Sequence, residues 1–269
     1  MISTSTVTSR DLADALSALR ERPPLVQCLT NVVVAGWTAN VLLAVGAAPA
    51  MVDNPLESGE FAAIASGVLV NLGTPFEDTA AAMRLAVAGA GLGGTPWVLD
   101  PVAAGALGWR TALARELLGV ARPAIIRGNA SEVLALAGGT GGRGVESVDS
   151  PEAAAQVAMV LAERQGCVIA VSGATDHITD GARMVRVSNG HPWLTRVTGG
   201  GCALGALMAA FAAVVPDAVV AAVAATATLT VAAEAAALRS RGPGSFAVAL
   251  LDELALIEGA DLAERVRIS

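Results

Sequence analysis

The chain has 269 residues, of which 54% are hydrophobic and 15% charged, and a formal net charge of −7; this composition suits a folded α/β domain and excludes a disordered chain, a nucleic-acid backbone binder and a polybasic membrane-surface protein. All seventeen basic residues are arginine, which excludes the usual forms of P-loop NTPase, protein kinase and pyridoxal enzyme, each of which depends on a lysine. Two histidines, His177 and His191, and three scattered cysteines, Cys28, Cys167 and Cys202, form neither a zinc motif nor a disulfide framework, so a reducing cytoplasm is the expected compartment.

Met1 to Arg22 is Ser/Thr-rich and then charged, without the apolar core of a signal peptide. Beyond it, short apolar or β-branched runs predict strands at Leu25–Leu29, Ala48–Val52, Val68–Leu72, Trp97–Asp100, Ala124–Arg127 and Val168–Ser172. Longer Ala/Leu-rich runs predict helices at Asp11–Arg20, Trp37–Val45, Glu60–Ala65, Phe76–Ala90, Thr111–Val120, Ser131–Ala137 and Pro151–Gln165, the last opened by Ser150 as N-cap. The Gly138–Gly144 stretch reads as a surface loop. Arg183–Ser188 and Pro192–Val197 flank Asn189-Gly190 and predict an antiparallel hairpin at a sheet edge. From Ala203 to Val266 the pattern is helical only; the apolar runs Cys202–Val215 and Ala218–Ala233, broken by Pro216-Asp217, read as buried helices and not membrane spans. The sum is one domain over residues 1–269, a three-layer α/β/α fold with a mostly parallel central sheet and an antiparallel edge hairpin.

In such a sheet, ligands bind beyond the C-terminal strand ends. Four consecutive ends are polar: Asp100-Pro101, Arg127-Gly128-Asn129 with Glu132 close behind, Ser172-Gly173, and Thr198-Gly199-Gly200-Gly201-Cys202 leading into a helix. The glycine turn reads either as an anion hole for a transferring phosphoryl group or as a tight turn. Asp100 and Glu132 read as acids for Mg²⁺, or as helix-capping and first-turn acids; Asn129 is also a plausible helix N-cap. Arg127 reads as a phosphate ligand or a surface ion pair. Cys202, at a helix start, reads as a base with a lowered pKa or as a small buried hydrophobe.

The residues Cys28-Leu29-Thr30-Asn31, Thr38-Ala39-Asn40, Val70-Asn71-Leu72-Gly73-Thr74, Leu99-Asp100-Pro101-Val102, Arg127 to Glu132, Val171-Ser172-Gly173, Val197 to Cys202 and Gly242 to Phe246 together resemble the hydroxyethylthiazole kinase family of ribokinase-like enzymes over nearly the whole chain. A Cys where most ribokinase-like kinases carry Asp is its specific mark. The resemblance implies phosphorylation of 4-methyl-5-(2-hydroxyethyl)thiazole by ATP with Mg²⁺, in a homotrimer with active sites between subunits. It implies Met51, Gly199, Asn31, Thr38 and Asn40 at the substrate, Arg127, Ser172 and Asn129 at ATP, Asp100 and Glu132 at the metal, and Cys202 with Gly199, Gly200 and Gly201 at the reacting group. Gly200 stands where the family usually has Thr or Ala, Gly36-Trp37 where Asn-Phe is commoner, and Ser172 where Thr is frequent. The alternatives are a pyrimidine-alcohol kinase, a dehydratase of hydrated nicotinamide nucleotides, and a nucleotide binder without catalysis. Residues 28–56 offer no arginine for a dinucleotide, which disfavours the dehydratase.

Overall fold

The computed structural model describes residues 6–138 and 151–269. Gly139–Gly144 of the expected loop and the expected cap Ser150 lie outside those residues. An eight-stranded sheet forms the middle layer, in spatial order β2-β1-β3-β4-β5-β6-β7-β8. The strands are β1 (Leu25–Leu29), β2 (Ala48–Ala50), β3 (Gly67–Asn71), β4 (Trp97–Asp100), β5 (Ile125–Asn129), β6 (Val168–Ser172), β7 (Asp176–Thr179) and β8 (Met184–Val187). The first six are parallel; β7 and β8 run antiparallel at one edge.

The sheet is buried on both faces because successive strand residues point to opposite layers. Val26, Cys28, Leu69, Val98 and Ile125 join one core, and Leu29, Val68, Val70, Leu99 and Ile126 join the other. The second core is completed by helices α3 (Ser58–Ile64), α4 (Glu77–Gly93), α5 (Gly108–Val120), α6 (Ala130–Leu136) and α7 (Pro151–Gln165). The first is covered by α1 (Ser9–Glu21), α2 (Ala35–Val45), α8 (Gly200–Ala212), α9 (Ala218–Leu238), α10 (Pro243–Leu256) and α11 (Gly259–Arg265). Helix α9 is long and apolar enough to cross a membrane, yet 78% of its apolar window is buried inside the fold. Its alanine-rich surface is apolar all round because neighbours pack on it from several sides.

The edge hairpin is not where the Asn189-Gly190 signal puts it. Its strands are β7 and β8, joined across Asp180-Gly181, with Gly181 in the left-handed region at φ 95°. Pro192–Thr195 is a 3₁₀ turn and not a strand. Asn189 is drawn instead into tertiary bonds: its Nδ2 donates to Glu234 Oε2 (3.2 Å) and to the Arg265 carbonyl (3.0 Å), and its Oδ1 accepts from the Arg267 amide (2.6 Å). Gly190 N donates to Glu234 Oε1 (2.9 Å). These bonds pin the segment after β8 to α9 and to Arg265–Arg267, and the Ser188 amide, which a hairpin turn across 189–190 would use, donates instead to the Arg267 carbonyl (3.0 Å).

A Cβ at Gly181 would lie 2.5 Å from Glu163 Cγ and 3.3 Å from the Met159 carbonyl, in a backbone region that L-residues avoid. Gly181→Ala is expected to destabilise the protein by about 1–3 kcal/mol, measured by chemical denaturation. An unchanged midpoint would contradict this hairpin geometry.

Candidate active site

The polar residues that close the strands meet at one end of the sheet. Asn71 and Asp100 end β3 and β4 side by side in register, and Arg127 lies on β5. Asp100 is fully buried. Its Oδ2 accepts from Asn71 Nδ2 at 2.7 Å, and Arg127 approaches both its oxygens at 3.4 Å. A second Arg127 nitrogen donates to Ser172 Oγ at the end of β6 (3.1 Å). Arg127 Nε is buried without a protein partner. The guanidinium therefore keeps donor capacity beyond its protein contacts.

Helix α8 brings the glycine turn onto this cluster. Gly199 is its N-cap at φ 90°, a left-handed conformation suited to glycine, and no side chain caps the helix. A Cβ on Gly201 would lie 2.7 and 2.8 Å from the two terminal nitrogens of Arg127. A Cβ on Gly199 would lie 2.7 Å from Trp37 Cδ1 and 2.9 Å from Val34 Cγ1. At 199, glycine lets the helix start sit this close to the start of α2, and at 201 a side chain would displace the guanidinium from its present place. Residues 199–202 thus share one site with Asp100 and Arg127.

Cys202 accepts a hydrogen bond from Asn31 Nδ2 at 3.4 Å. The lowered thiol pKa expected from its helix position does not hold. Burial, followed by the negative charge of Asp100, pushes the Cys202 thiol up, and the opposing effects of Asn71, Asn31 and Arg127 are smaller. Asp100 itself is raised to about 6, by burial first; Arg127 counters this and Glu132 adds to it.

Glu132 and Asn129 form a capping box at the start of α6. Asn129 Oδ1 accepts from the Glu132 amide (2.9 Å), and Glu132 Oε2 accepts from the Asn129 amide (2.9 Å). Glu132 Oε1 also accepts from the Ala103 amide (2.9 Å), tying the loop after β4 to α6. Each Glu132 oxygen keeps a lone pair. Asn129 is largely committed to the cap, since Ser131 Oγ also donates to its side chain (2.7 Å).

The other expected substrate residues are more dispersed. Asn31 is inside the cluster, and Thr38 is fully buried in α2 with its hydroxyl unpartnered. Asn40 is on the exposed side of α2, and Met51, after β2, is 39% exposed; neither makes a hydrogen bond to the cluster. Two residues given no role by sequence reasoning belong to the site. Asn71 joins Asn31 to Asp100, and Asp176 faces a cavity of about 570 Å³ beside Arg127, Ser172, Gly200 and Gly201. The far walls include Asn189, His191, Leu204 and Thr230. The volume falls in the range of small-molecule and cofactor sites. Among the described residues, no set of three or more His, Cys, Asp or Glu side chains converges as a metal cage.

The model of the hydroxyethylthiazole kinase family matches residues 16–259. The chain belongs to this family. It is 60% identical to the hydroxyethylthiazole kinase of Clavibacter sepedonicus, over 99% of this chain and 98% of that one. It is 58% identical to the Cutibacterium acnes enzyme of the same name, covering 94% and 92% of the two chains. A solved hydroxyethylthiazole kinase from Pyrococcus horikoshii OT3 superposes with a TM-score of 0.89 at 38% identity, covering 96% and 98%. A Staphylococcus aureus pyridoxal kinase, solved with AMP-PCP and pyridoxal, has a TM-score of 0.58 at 14% identity over 78% of this chain and 87% of that one, which shows a shared ribokinase-like fold. The chain thus has the α/β architecture, with its mixed eight-stranded sheet, of kinases that act on small molecules.

Asp176 supplies a test of the cavity's burial. Its carboxyl is raised from 3.8 to about 6, by burial first, against a hydrogen bond from the Gly173 amide (3.1 Å) and the charge of Arg127. A raised folded-state pKa gives stability that is present below the unfolded value and lost as pH rises through the folded one. Asp176→Asn removes that loss while keeping an acceptor for Gly173. Its stability relative to wild type should rise between pH 4 and pH 7 by up to about 3 kcal/mol. A constant difference across that window would show that the carboxylate is well solvated.

Proposed function

We propose that the protein transfers the γ-phosphoryl group of ATP to the hydroxyl of 4-methyl-5-(2-hydroxyethyl)thiazole, giving the phosphate ester and ADP in thiamine biosynthesis and salvage. The observation that carries this reading is the seating of the glycine turn on Arg127, next to Asp100. Helix-start amides and a guanidinium with donor capacity beyond its protein contacts converge on one recess in a chain without lysine. Fixed donors of this kind favour the charge of a transferring phosphoryl group without reorganising.

In this reading ATP occupies the 570 Å³ cavity, with Arg127 and Ser172, which line it, at its phosphates, and Asn129, the β-sheet neighbour of Ser172, beside them. Asp100 and Glu132 fit Mg²⁺: they are hard oxygen donors, few in number, whose mutual repulsion a cation relieves. The ion, when bound with the nucleotide, supplies neutralisation of phosphate charge. Asp100 and Glu132 are the residues that would hold it.

The thiazole lies on the β1–α2 side, near Asn31, Thr38, Asn40, Met51 and Gly199. Three buried polar atoms there, Thr30 Oγ1, Trp37 Nε1 and Thr38 Oγ1, have no protein partner, so this side of the site holds polar groups that the protein itself does not satisfy. Val32 and Val33 after β1, and Met51 and Leu56 after the adjacent β2, are exposed by 71, 63, 39 and 91%. A second subunit closing this apolar rim accounts for their exposure; that the assembly is a homotrimer with active sites at its interfaces follows from the family resemblance.

The acceptor hydroxyl sits over Cys202 and attacks phosphorus in line. A raised thiol pKa means that the sulfur is held as the thiol, not as a standing thiolate. In a loose transition state the hydroxyl proton leaves late, onto the phosphoryl oxygens, and positioning supplies most of the rate. Cys202 then serves to orient the hydroxyl.

Two variants test these roles in a coupled ADP-release assay with the thiazole alcohol, with and without Mg²⁺. Asp100→Asn should lower kcat at least about 100-fold with little change in the KM for the alcohol, as expected for a group acting on phosphate charge. Unchanged turnover and Mg²⁺ dependence would remove Asp100 from the mechanism. Cys202→Ala should lose less than about 100-fold in kcat, below the usual range of a general base. A loss beyond about 10⁴-fold with intact nucleotide binding would restore the sulfur as the base.

A further inference from the structure

Asn71 closes β3 and is only 1% exposed, yet every atom of its amide group is directed at the active site. Nδ2 donates to Asp100 Oδ2 at 2.7 Å. Oδ1 accepts from Asn31 Nδ2 at 2.9 Å and from the Gly73 amide at 3.0 Å. Asn31 Nδ2 in turn donates to Cys202 Sγ at 3.4 Å. The result is an unbroken chain from Cys202 through Asn31 and Asn71 to Asp100, crossing from the start of α8 to the end of β4.

The chain has one polarity. Turning the Asn71 amide over would set its oxygen against an Asp100 oxygen and its nitrogen against two donors, Asn31 Nδ2 and Gly73 N. Asn31 occupies the space that a side chain at 73 would need: a Cβ on Gly73 would lie only 2.5–2.7 Å from Asn31 Nδ2, Cβ and Cγ, so glycine at 73 is what lets Asn31 reach Asn71. Asp100 needs such a restraint. Its contacts with Arg127 are long at 3.4 Å, and the 2.7 Å bond from Asn71 is the shortest bond that fixes its carboxylate plane.

We propose that Asn71 is a positioning residue for phosphoryl transfer, locking the orientation of the Asp100 carboxylate to that of Asn31 and hence to Cys202 across the reacting centre. Its effect runs through Asp100, Asn31 and the Cys202 thiol beside it, not through contact with substrate. The proposal deepens the kinase reading of the same site and rests on it.

The test combines Asn71→Ala, Asn31→Ala and the double variant, with kcat normalised to the nucleotide bound per chain so that unfolded protein does not count. Asn71→Ser, which keeps a polar group in the buried site, replaces Asn71→Ala in both arms if the alanine variant fails to fold. Asn71→Ala should lower kcat 10- to 100-fold, with the KM values for ATP and alcohol within threefold of wild type. The double variant should be no more than about threefold slower than the slower single variant, because both break one chain. A kcat per bound nucleotide within threefold of wild type, or losses that multiply in the double variant, would overturn the proposal. Failure of wild-type protein to turn over the thiazole alcohol would count against the kinase reading instead. The same comparison of variants is then made with whichever alcohol wild type phosphorylates.

Discussion

Arg127 and Asp100 meet inside the protein without satisfying each other. Both Asp100 oxygens lie 3.4 Å from the guanidinium, beyond the 2.7–2.9 Å of a strong charge-assisted bond. Burial outweighs the neighbouring positive charge and leaves Asp100 raised to about 6. A pair like this is poor as a stabilising device, since burying two charges costs more than a loose contact returns. It is better suited as a receptor. The acid can be relieved by a cation and the guanidinium by an anion, and a metal-bound nucleotide brings both.

The rest of the site follows from keeping that pair available. The parallel sheet delivers Asn71, Asp100, Arg127 and Ser172 to one edge from four neighbouring strands. Helix α8 must approach closely enough to aim its first amides at the same point, and glycine at 199 and 201 removes the side chains that would prevent it. Further along α8, a Cβ on Gly205 would lie 2.9 Å from Leu69 Cδ1 and 3.7 Å from Asp100 Cβ, so small residues seat the whole helix on β3 and β4. In the proposed reaction, backbone amides and arginine together take the place that other nucleotide-binding folds give to lysine.

Much of this was legible in the residues themselves. The six parallel strands, the helices between them and the polar strand ends came from periodicity and from the rule that ligands gather at the C-terminal edge. The misreadings have specific physical causes. Asn189-Gly190 has the local chemistry of a hairpin turn, but Glu234, Arg265 and Arg267, distant in sequence, claim its hydrogen-bonding groups. The hairpin uses Asp180-Gly181, and its first strand Asp176–Thr179 was hidden because Asp176 and His177 break the apolar run. For Cys202, the helix start argued for a thiolate, while burial and the charge of Asp100, 102 positions earlier in the chain, prevail. Asn71 looked like the polar end of an apolar strand; its importance depends on Asn31 and Asp100 arriving on either side of it.

In the proposed reaction, phosphate meets the amides of residues 200–202 and the free donors of Arg127 at one point. A crystal structure with a non-hydrolysable ATP analogue, Mg²⁺ and the thiazole alcohol tests this most directly. The terminal phosphate is expected within hydrogen-bond distance of those amides and of Arg127, with the alcohol oxygen on the Cys202 and Asn31 side. A terminal phosphate bound away from residues 199–202, with Arg127 still paired only to Asp100 and Ser172, would contradict the account.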